Sequence, residues 1–317
     1  MVAPRDTVLV CVSGGPDSVC LLETLVRLRR LFRMRLEVFH FDHRLRDGSS
    51  DDAGYVRRLA DRLGLPFRLA TAADAPSRGA SVEAWATVAR SNAANEVRRR
   101  IGAASMAEGH TLDDQAETVL LNVIRGGGLE AVSGIWPGSR EATVIEPLLD
   151  VERSEVEAFC RALRLRPRRD PTNADARYLR NAIRHEIIPA IETVTGRDPR
   201  RPIARTADLL RDARTELYEA TIRAYRLVVT DEGDEVRFDV AALRELSRPI
   251  ASRVVRLAVY NALSLDDSAP WSKEGIEAIL DLAAGRPGRR RDLANGSTAV
   301  RRAQYVSVSR SSPESRV

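Results

Sequence analysis

The sequence predicts an α/β fold: a doubly wound, mainly parallel sheet followed by a smaller α-rich domain. Three observations carry that expectation. Short apolar runs alternate with helix-spaced segments through the first part of the chain, as in strand–helix–strand units. The Gly-rich and acid-rich segments directly follow those apolar runs, where open parallel sheets bind ligands. After "IEPLLD" the pattern turns mostly helical.

"TVLVCV" (7–12) reads as a buried strand, and Leu21, Leu22, Leu25 and Leu28 give the next segment helical spacing. "LEVFHF" (36–41) is a second strand, residues 51–63 a helix, and "PFRLA" (66–70) a third strand. Residues 81–100 form a long helix with Ser81 as cap and Glu83 close behind. "ASMAEGH" (104–110) is a weaker strand, 113–125 a helix, and "RGGGLEAVSGIWPG" (125–138) a loop. Helices are expected at 152–164, 177–195, 203–230, 247–263 and 272–284. Short β-like runs around a Gly turn follow near the end, and "SSPESRV" suits a disordered tail. The boundary is placed at "GRDPRRP", giving domains 1–200 and 201–317.

The 317 residues are ample for two domains. No apolar run reaches the 18 residues of a spanning helix, and no signal-peptide layout precedes the first strand, so no membrane partner is expected and a cytoplasmic setting is the default. Cys11, Cys20 and Cys160 share no C-x-x-C spacing, which argues against a disulfide scaffold, a zinc ribbon and a paired-cysteine redox site. The net charge is +5, and only Lys273 among the 50 basic residues is lysine. Arginine clusters at 98–100, 161–169 and 286–291 are compatible with a polyanionic partner, although solvated faces look the same.

Three segments offer chemistry. In "SGGPDS" (13–18), Gly14 and Gly15 allow a sharp turn, and Pro16 suits the first position of a helix. The free N–H groups of that first turn, with the Ser13 and Ser18 hydroxyls, make an anion site. The Lys-Ser/Thr ending of the common triphosphate loop is missing. Asp17 would repel phosphate unless a cation, Mg²⁺ or an ammonium, stood between them; alternatively it complements the helix dipole. In "GHTLDDQAET" (109–118), His110 precedes a helix on which Asp114 and Glu117 share a face. Two acids there could grip an amine or Mg²⁺, although Thr111-x-x-Asp114 is also an ordinary capping box. In "RNAIRHE" (180–186), Arg180 and Arg184 share a helix face suited to phosphate or base edges, or simply to solvent.

"SGGPDS" resembles the PP-loop of the N-type ATP pyrophosphatase superfamily, which implies a PP-loop ATPase fold of the adenine nucleotide alpha-hydrolase-like type. That loop holds the pyrophosphate portion of ATP, and the bond broken lies between the α and β phosphates. "GHTLDDQAET" resembles the "GHTxDDQAET" segment of tRNA(Ile)-lysidine synthetases. "HFDHRLRDGSSDDA" (40–53), "VEAWATVAR" (82–90), "RGGGLEAVSGI" (125–135) and "DPTNADARYLRNAIRHEIIP" (170–189) resemble further segments of that family in the same order. The likeness is close over residues 6–200 and looser to about 310, through a mostly helical tRNA- or substrate-binding domain.

The resemblance implies an ATP- and Mg²⁺-using ligase. It would adenylate the C2 oxygen of the wobble cytidine in a CAU-anticodon tRNA(Ile). The ε-amine of free L-lysine would then displace AMP. By position, Ser13, Gly14, Gly15, Pro16, Asp17, Ser18 and His40 would bind ATP, although His40 equally suits a packed strand. Asp17, Asp114 and Glu117 would handle the lysine ammonium or Mg²⁺, with Asp17 and Asp114 as metal candidates. His110 would contact the reacting phosphate, and Arg90 would stabilise developing charge. Arg180 and Arg184 would contact the tRNA, with Arg184 also catalytic. The family's longer members carry a further C-terminal domain for which this chain is expected to be too short; the assembly is left open, a homodimer included. The rival reading is another PP-loop tRNA-modifying enzyme, a tRNA thiolase, which the cysteine spacing disfavours. An ATP-binding sensor would gain little from the extra carboxylates, and an amidotransferase-type ligase would need an ammonia source.

Overall fold

The structure is a computed structural model. It describes residues 1–45, 48–76, 82–140, 142–168, 179–231, 235–263, 272–293 and 296–310, the Glu83 side chain excepted. The expected Ser81 cap, residues 170–178 of "DPTNADARYLRNAIRHEIIP" and the terminal "SSPESRV" lie outside those residues.

The chain divides into two compact units, Met1–Arg211 and Asp212–Val317. The first is built on β1 (Thr7–Cys11), β2 (Arg35–Asp42), β3 (Phe67–Thr71), β4 (Ser105–Ala107) and β5 (Val144–Ile145), in the order β3-β2-β1-β4-β5. All four pairings are parallel. The order reverses at β1, which leaves a crevice beyond the carboxyl ends of β1 and β4. "SGGPDS" follows β1 and "GHTLDDQAET" follows β4, so the topology brings these two segments to that crevice.

Successive residues of β1 explain the two helical layers. Val8 and Val10 face a core with α1 (Pro16–Leu28), α2 (Ser49–Leu63) and α6 (Arg153–Ala162), through Leu21, Leu22, Leu25, Val56, Leu59 and Val156. Leu9 turns to the other face, where Phe39, Phe41 and Met106 pack with Ala94 of α3 (Val82–Arg100). Truncating Leu9, which is fully buried, to alanine carries the usual core cost of about 2–5 kcal/mol.

The segment read as a Gly-rich loop contains a single helical turn, α5 (Leu129–Val132), following α4 (Leu112–Ile124). Gln115 of α4 clamps its far end: Ile135 N–H donates to Gln115 Oε1 (2.7 Å) and Gln115 Nε2 to Ile135 O (3.2 Å). Gly134 sits between them at φ +68°, and a Cβ there would lie 2.4 Å from Gln115 Oε1, so only glycine fits.

The helix expected at 177–195 is interrupted. α7 (Leu179–Ala182) leads into a π-helical turn, Ile183–Ile187, and then α8 (Ile188–Thr195). Pro189 has no N–H to offer residue 185, and Ile188 N–H reaches back to Ile183 O, widening the turn.

A continuous helix, α9 (Arg200–Val228), runs through the expected 200/201 boundary. The second unit adds α10 (Val240–Glu245), α11 (Arg248–Leu263) and α12 (Lys273–Ala284). It also contains more sheet than the short β-like tail expected. β6 (Val229–Asp231), β7 (Glu235–Asp239), β8 (Arg290–Asp292), β9 (Ser297–Arg301) and β10 (Tyr305–Arg310) form an antiparallel sheet ordered β6-β7-β10-β9-β8. Val236, Phe238, Val306 and Val308 alternate onto one face and pack with Val254, Val255, Ile276 and Ile279 of the helices. Among the described residues no helix is long and apolar enough to cross a membrane.

Candidate active site

The loop after β1 is shaped by Gly14, at φ +97°, and by Gly15, which caps α1 in extended geometry with Pro16 in the first turn. Internal bonds hold it. Gly14 N–H donates to Ser18 Oγ (3.2 Å), Gly15 N–H to Ser13 Oγ (3.3 Å), and the two serine oxygens are 3.1 Å apart. From outside, Arg168 N–H donates to Gly14 O (2.8 Å) while its guanidinium pairs with Asp52 (2.9 Å). Gly109 crosses α1 so closely that a Cβ would lie 3.2 Å from the Asp17 carbonyl. The second segment is thereby pressed onto the first turn of α1.

Asp17 stands at that crossing. Its Oδ2 is 3.7 Å from Arg153 Nε, and its Oδ1 is buried without a hydrogen-bond partner. Burial pushes its carboxyl up to about 6, against the pull of Arg153.

Asp114 and Glu117 share a face of α4, as the spacing predicts. The capping box is real too: Thr111 N–H and Oγ1 donate to Asp114 Oδ2 at 2.9 and 2.7 Å. The remaining oxygens meet arginines. Arg153, Arg180 and Arg184 approach Asp114 Oδ1 at 3.0, 3.4 and 3.4 Å. Arg184 grips Glu117 through two bonds, 2.6 and 2.8 Å, and Arg180 adds a third at 3.1 Å. Burial alone would raise the Asp114 carboxyl, but Arg153, Arg180 and the Thr111 N–H hold it down at about 2. Three acids and three guanidinium groups thus meet beside the loop after β1.

His110 and Arg90 stand on the other flank. His110 Nδ1 lies 2.8 Å from Glu146 Oε1 and 3.9 Å from Glu108 Oε2. Burial lowers its pKa, but the hydrogen bond and charge of Glu146 more than offset that, and the net direction is up. Arg90, on α3, reaches Glu108 at 3.8 Å and keeps a buried Nε without a partner. His40 is buried in β2 with Nδ1 2.7 Å from Val12 O, so one ring nitrogen is committed to the backbone.

Three residues of the cluster lie outside the motif readings: Glu108, Glu146 and Arg153; Gly109 belongs to a motif, but its packing on α1 shows only in the fold. Arg153 had a signal. It opens α6, where a cation opposes the helix dipole. Such a placement is favourable only when acids face it, and here Asp17, Asp114 and Glu117 do so.

Residues 3–191 match the family model described as a PP-loop domain, and residues 238–306 match the TilS substrate binding domain. The chain is 35% identical to the tRNA(Ile)-lysidine synthase of Gloeobacter violaceus, over 88% of this chain and 83% of that protein. The chain belongs to the tRNA(Ile)-lysidine synthase family of PP-loop proteins.

Other members are longer. The family member from Symbiobacterium thermophilum is 40% identical over 82% of this chain and 56% of its own length. The one from Caldanaerobacter subterraneus is 33% identical over 89% and 60%. The chain therefore spans somewhat more than half the length of these curated relatives. Among solved structures, it resembles the U34-tRNA thiolase NcsA from Methanococcus maripaludis with its [4Fe-4S] cluster. The TM-score is 0.57 at 19% identity, covering 66% of this chain and 73% of that one, a likeness of fold. In this family member the cysteines are free, with Cys20 and Cys160 packed in the core.

Proposed function

We propose that this protein is a tRNA(Ile)-lysidine synthase. It would use ATP to join free L-lysine to C2 of the wobble cytidine of a CAU-anticodon tRNA(Ile), releasing AMP and pyrophosphate. The observation that carries the reading is the acid group Asp17, Asp114 and Glu117 set beside a loop built for phosphate. An anion site needs no carboxylates, whereas an anion site that must also receive an ammonium does. The chemistry has two steps. The cytidine C2 oxygen bonds to the α-phosphorus as the α–β bridging bond breaks. The lysine amine then bonds to C2 as the C2–O bond breaks, and its proton is lost.

Gly14, Gly15 and the first turn of α1, with the Ser13 and Ser18 hydroxyls, hold the departing pyrophosphate. Arg90 offsets charge growing on the α-phosphate, and His110 donates to the same group. Asp17 fits Mg²⁺ better than Asp114 does, because Asp17 keeps a buried unpartnered oxygen while Asp114 is taken up by Thr111 and arginines. Mg²⁺ there would neutralise phosphate charge. Asp114 and Glu117 receive the lysine ammonium as Arg180 and Arg184 turn toward tRNA phosphate, a ligand that guanidinium groups bind in the same forked geometry as carboxylate. The second unit, matched to a substrate binding domain, is the natural holder of the tRNA body.

The test is incubation of the protein with ATP, Mg²⁺, labelled lysine and a CAU isoleucine tRNA. Label in the tRNA with equal AMP and pyrophosphate release is expected. AMP release that needs a sulfur donor and leaves lysine untouched would overturn the assignment in favour of thiolation.

A further inference from the structure

Glu146 has no part in the motifs, yet it makes the closest contact to His110. It follows β5 directly and is buried. Its backbone N–H donates to Pro137 O (3.0 Å), and the neighbouring Ile145 O accepts from Glu108 N–H (3.0 Å). Both acid-bearing segments are therefore held by the sheet edge. The Glu146 carboxylate spans two donors of one residue: Oε1 lies 2.8 Å from His110 Nδ1 and Oε2 accepts from His110 N–H at 3.3 Å. A buried carboxylate is costly unless donors satisfy it, and here both come from His110.

We propose that Glu146 is a positioning residue for His110: by accepting from both the backbone N–H and the Nδ1–H, it fixes the ring and favours the doubly protonated imidazolium, whose Nε2–H is the donor offered to the substrate phosphate. This inference rests on the reading of His110 given above. The charges around the ring agree with it. Glu146, Glu108 and Asp114 each favour the imidazolium, and burial opposes them. Arg90 lies 3.8 Å from the same Glu108 Oε2 that stands 3.9 Å from His110 Nδ1. Burial raises the Cys11 thiol, which keeps it neutral. Asp17 joins this corner through its backbone, which packs on Gly109. A carboxylate on the remote nitrogen of a working histidine sets both which nitrogen carries the proton and how firmly it is held.

The same atoms suggest a competitor. Glu108, His110 and Glu146 present ligand-capable atoms within 4.8 Å of one another, a spacing a metal ion can use. The hydrogen bond on Nδ1 and the guanidinium beside Glu108 satisfy the same groups without an ion.

Glu146→Gln in the full chain separates these cases. The His110 ring is followed by NMR titration of the ATP-free protein, with His110→Asn as the assignment control. The His110 titration is expected to move to lower pH in Glu146→Gln. In the lysine-transfer assay, activity falls on the alkaline side as His110 loses its proton. That fall should begin at lower pH in the variant, with kcat near pH 8 down about tenfold and KM for lysine unchanged. Glu146→Asp should recover part of the loss. An unmoved His110 titration, or a loss uniform across pH and matched by a lower Tm, overturns the proposal and leaves Glu146 a structural residue. So does a His110 titration that shifts equally when wild type is treated with a chelator, which indicates a metal. The NMR arm needs no turnover. A wild-type protein that transfers no lysine would therefore sink the functional reading while the Glu146–His110 pairing is still measured.

Discussion

The first turns of α1 and α4 each present an aspartate to Arg153, and the two acids end in opposite states. Asp114 accepts from Thr111 twice and faces three guanidinium groups, and its carboxyl is held at about 2. Asp17 has Arg153 at 3.7 Å and one buried oxygen with no partner, and its carboxyl rises to about 6. Both sites are largely shielded from water, so burial alone does not separate them; the number of donors does. Asp114 is closed by the protein's own cations. Asp17 is left incomplete, as suits a carboxylate whose partner arrives with the substrate.

The largest effect is expected on the closed side. Glu117 is almost wholly buried and carries the bidentate Arg184. Glu117→Gln leaves guanidinium groups uncompensated and should cost about 3–5 kcal/mol in urea unfolding. Lysine transfer should fall further than ATP affinity does. Equal loss of both would break the assignment of Glu117 to the amine.

The pH dependence sharpens the contrast, because the two acids carry opposite signs. The folded pKa of Asp114 lies below its ordinary 3.8. Its contribution, about 2 kcal/mol, is present above pH 3.8 and is lost as pH falls toward 2. The folded pKa of Asp17 lies above its ordinary value, so its ionisation costs stability as pH rises through 6. Asp17→Asn should therefore raise stability at pH 7, by about 1–3 kcal/mol, while abolishing lysine transfer. A lower Tm in that variant would mean that Asp17 is already paired. A smaller effect is expected at the crossing: Gly109→Ala brings a Cβ to 3.2 Å from the Asp17 carbonyl. It should cost about 1 kcal/mol and weaken ATP binding more than tRNA binding, as read by equilibrium titration.

Much of the first unit was legible because its signals are local. A buried strand followed by Gly-Gly-Pro, and an acid pair at helical spacing, each announce their own geometry. The crevice was legible for a different reason: a parallel sheet brings the ends of β1 and β4 together whatever the intervening residues are. Glu146 was not legible, since its partner His110 lies 36 residues away and no motif contains it; Arg153 left only the signal of a cation opening a helix, with its acidic partners in distant segments. The same holds for β6 and β7. Each is short and rich in polar residues, and only pairing with each other and with β10 makes them strands. The π-helical turn at Ile183–Ile187 preserves the shared face of Arg180 and Arg184 toward Glu117, an outcome that a regular helix would have predicted by a different route.

The most direct measurement is a carboxyl-carbon NMR titration of the substrate-free protein, with Asp17→Asn and Asp114→Asn as assignment controls. Asp17 is expected to titrate near 6 and Asp114 near 2, with the Asp17 resonance alone moving when Mg²⁺ is added. Two ordinary aspartate titrations near 4, both indifferent to Mg²⁺, would contradict the division of the site into a closed acid and an open one.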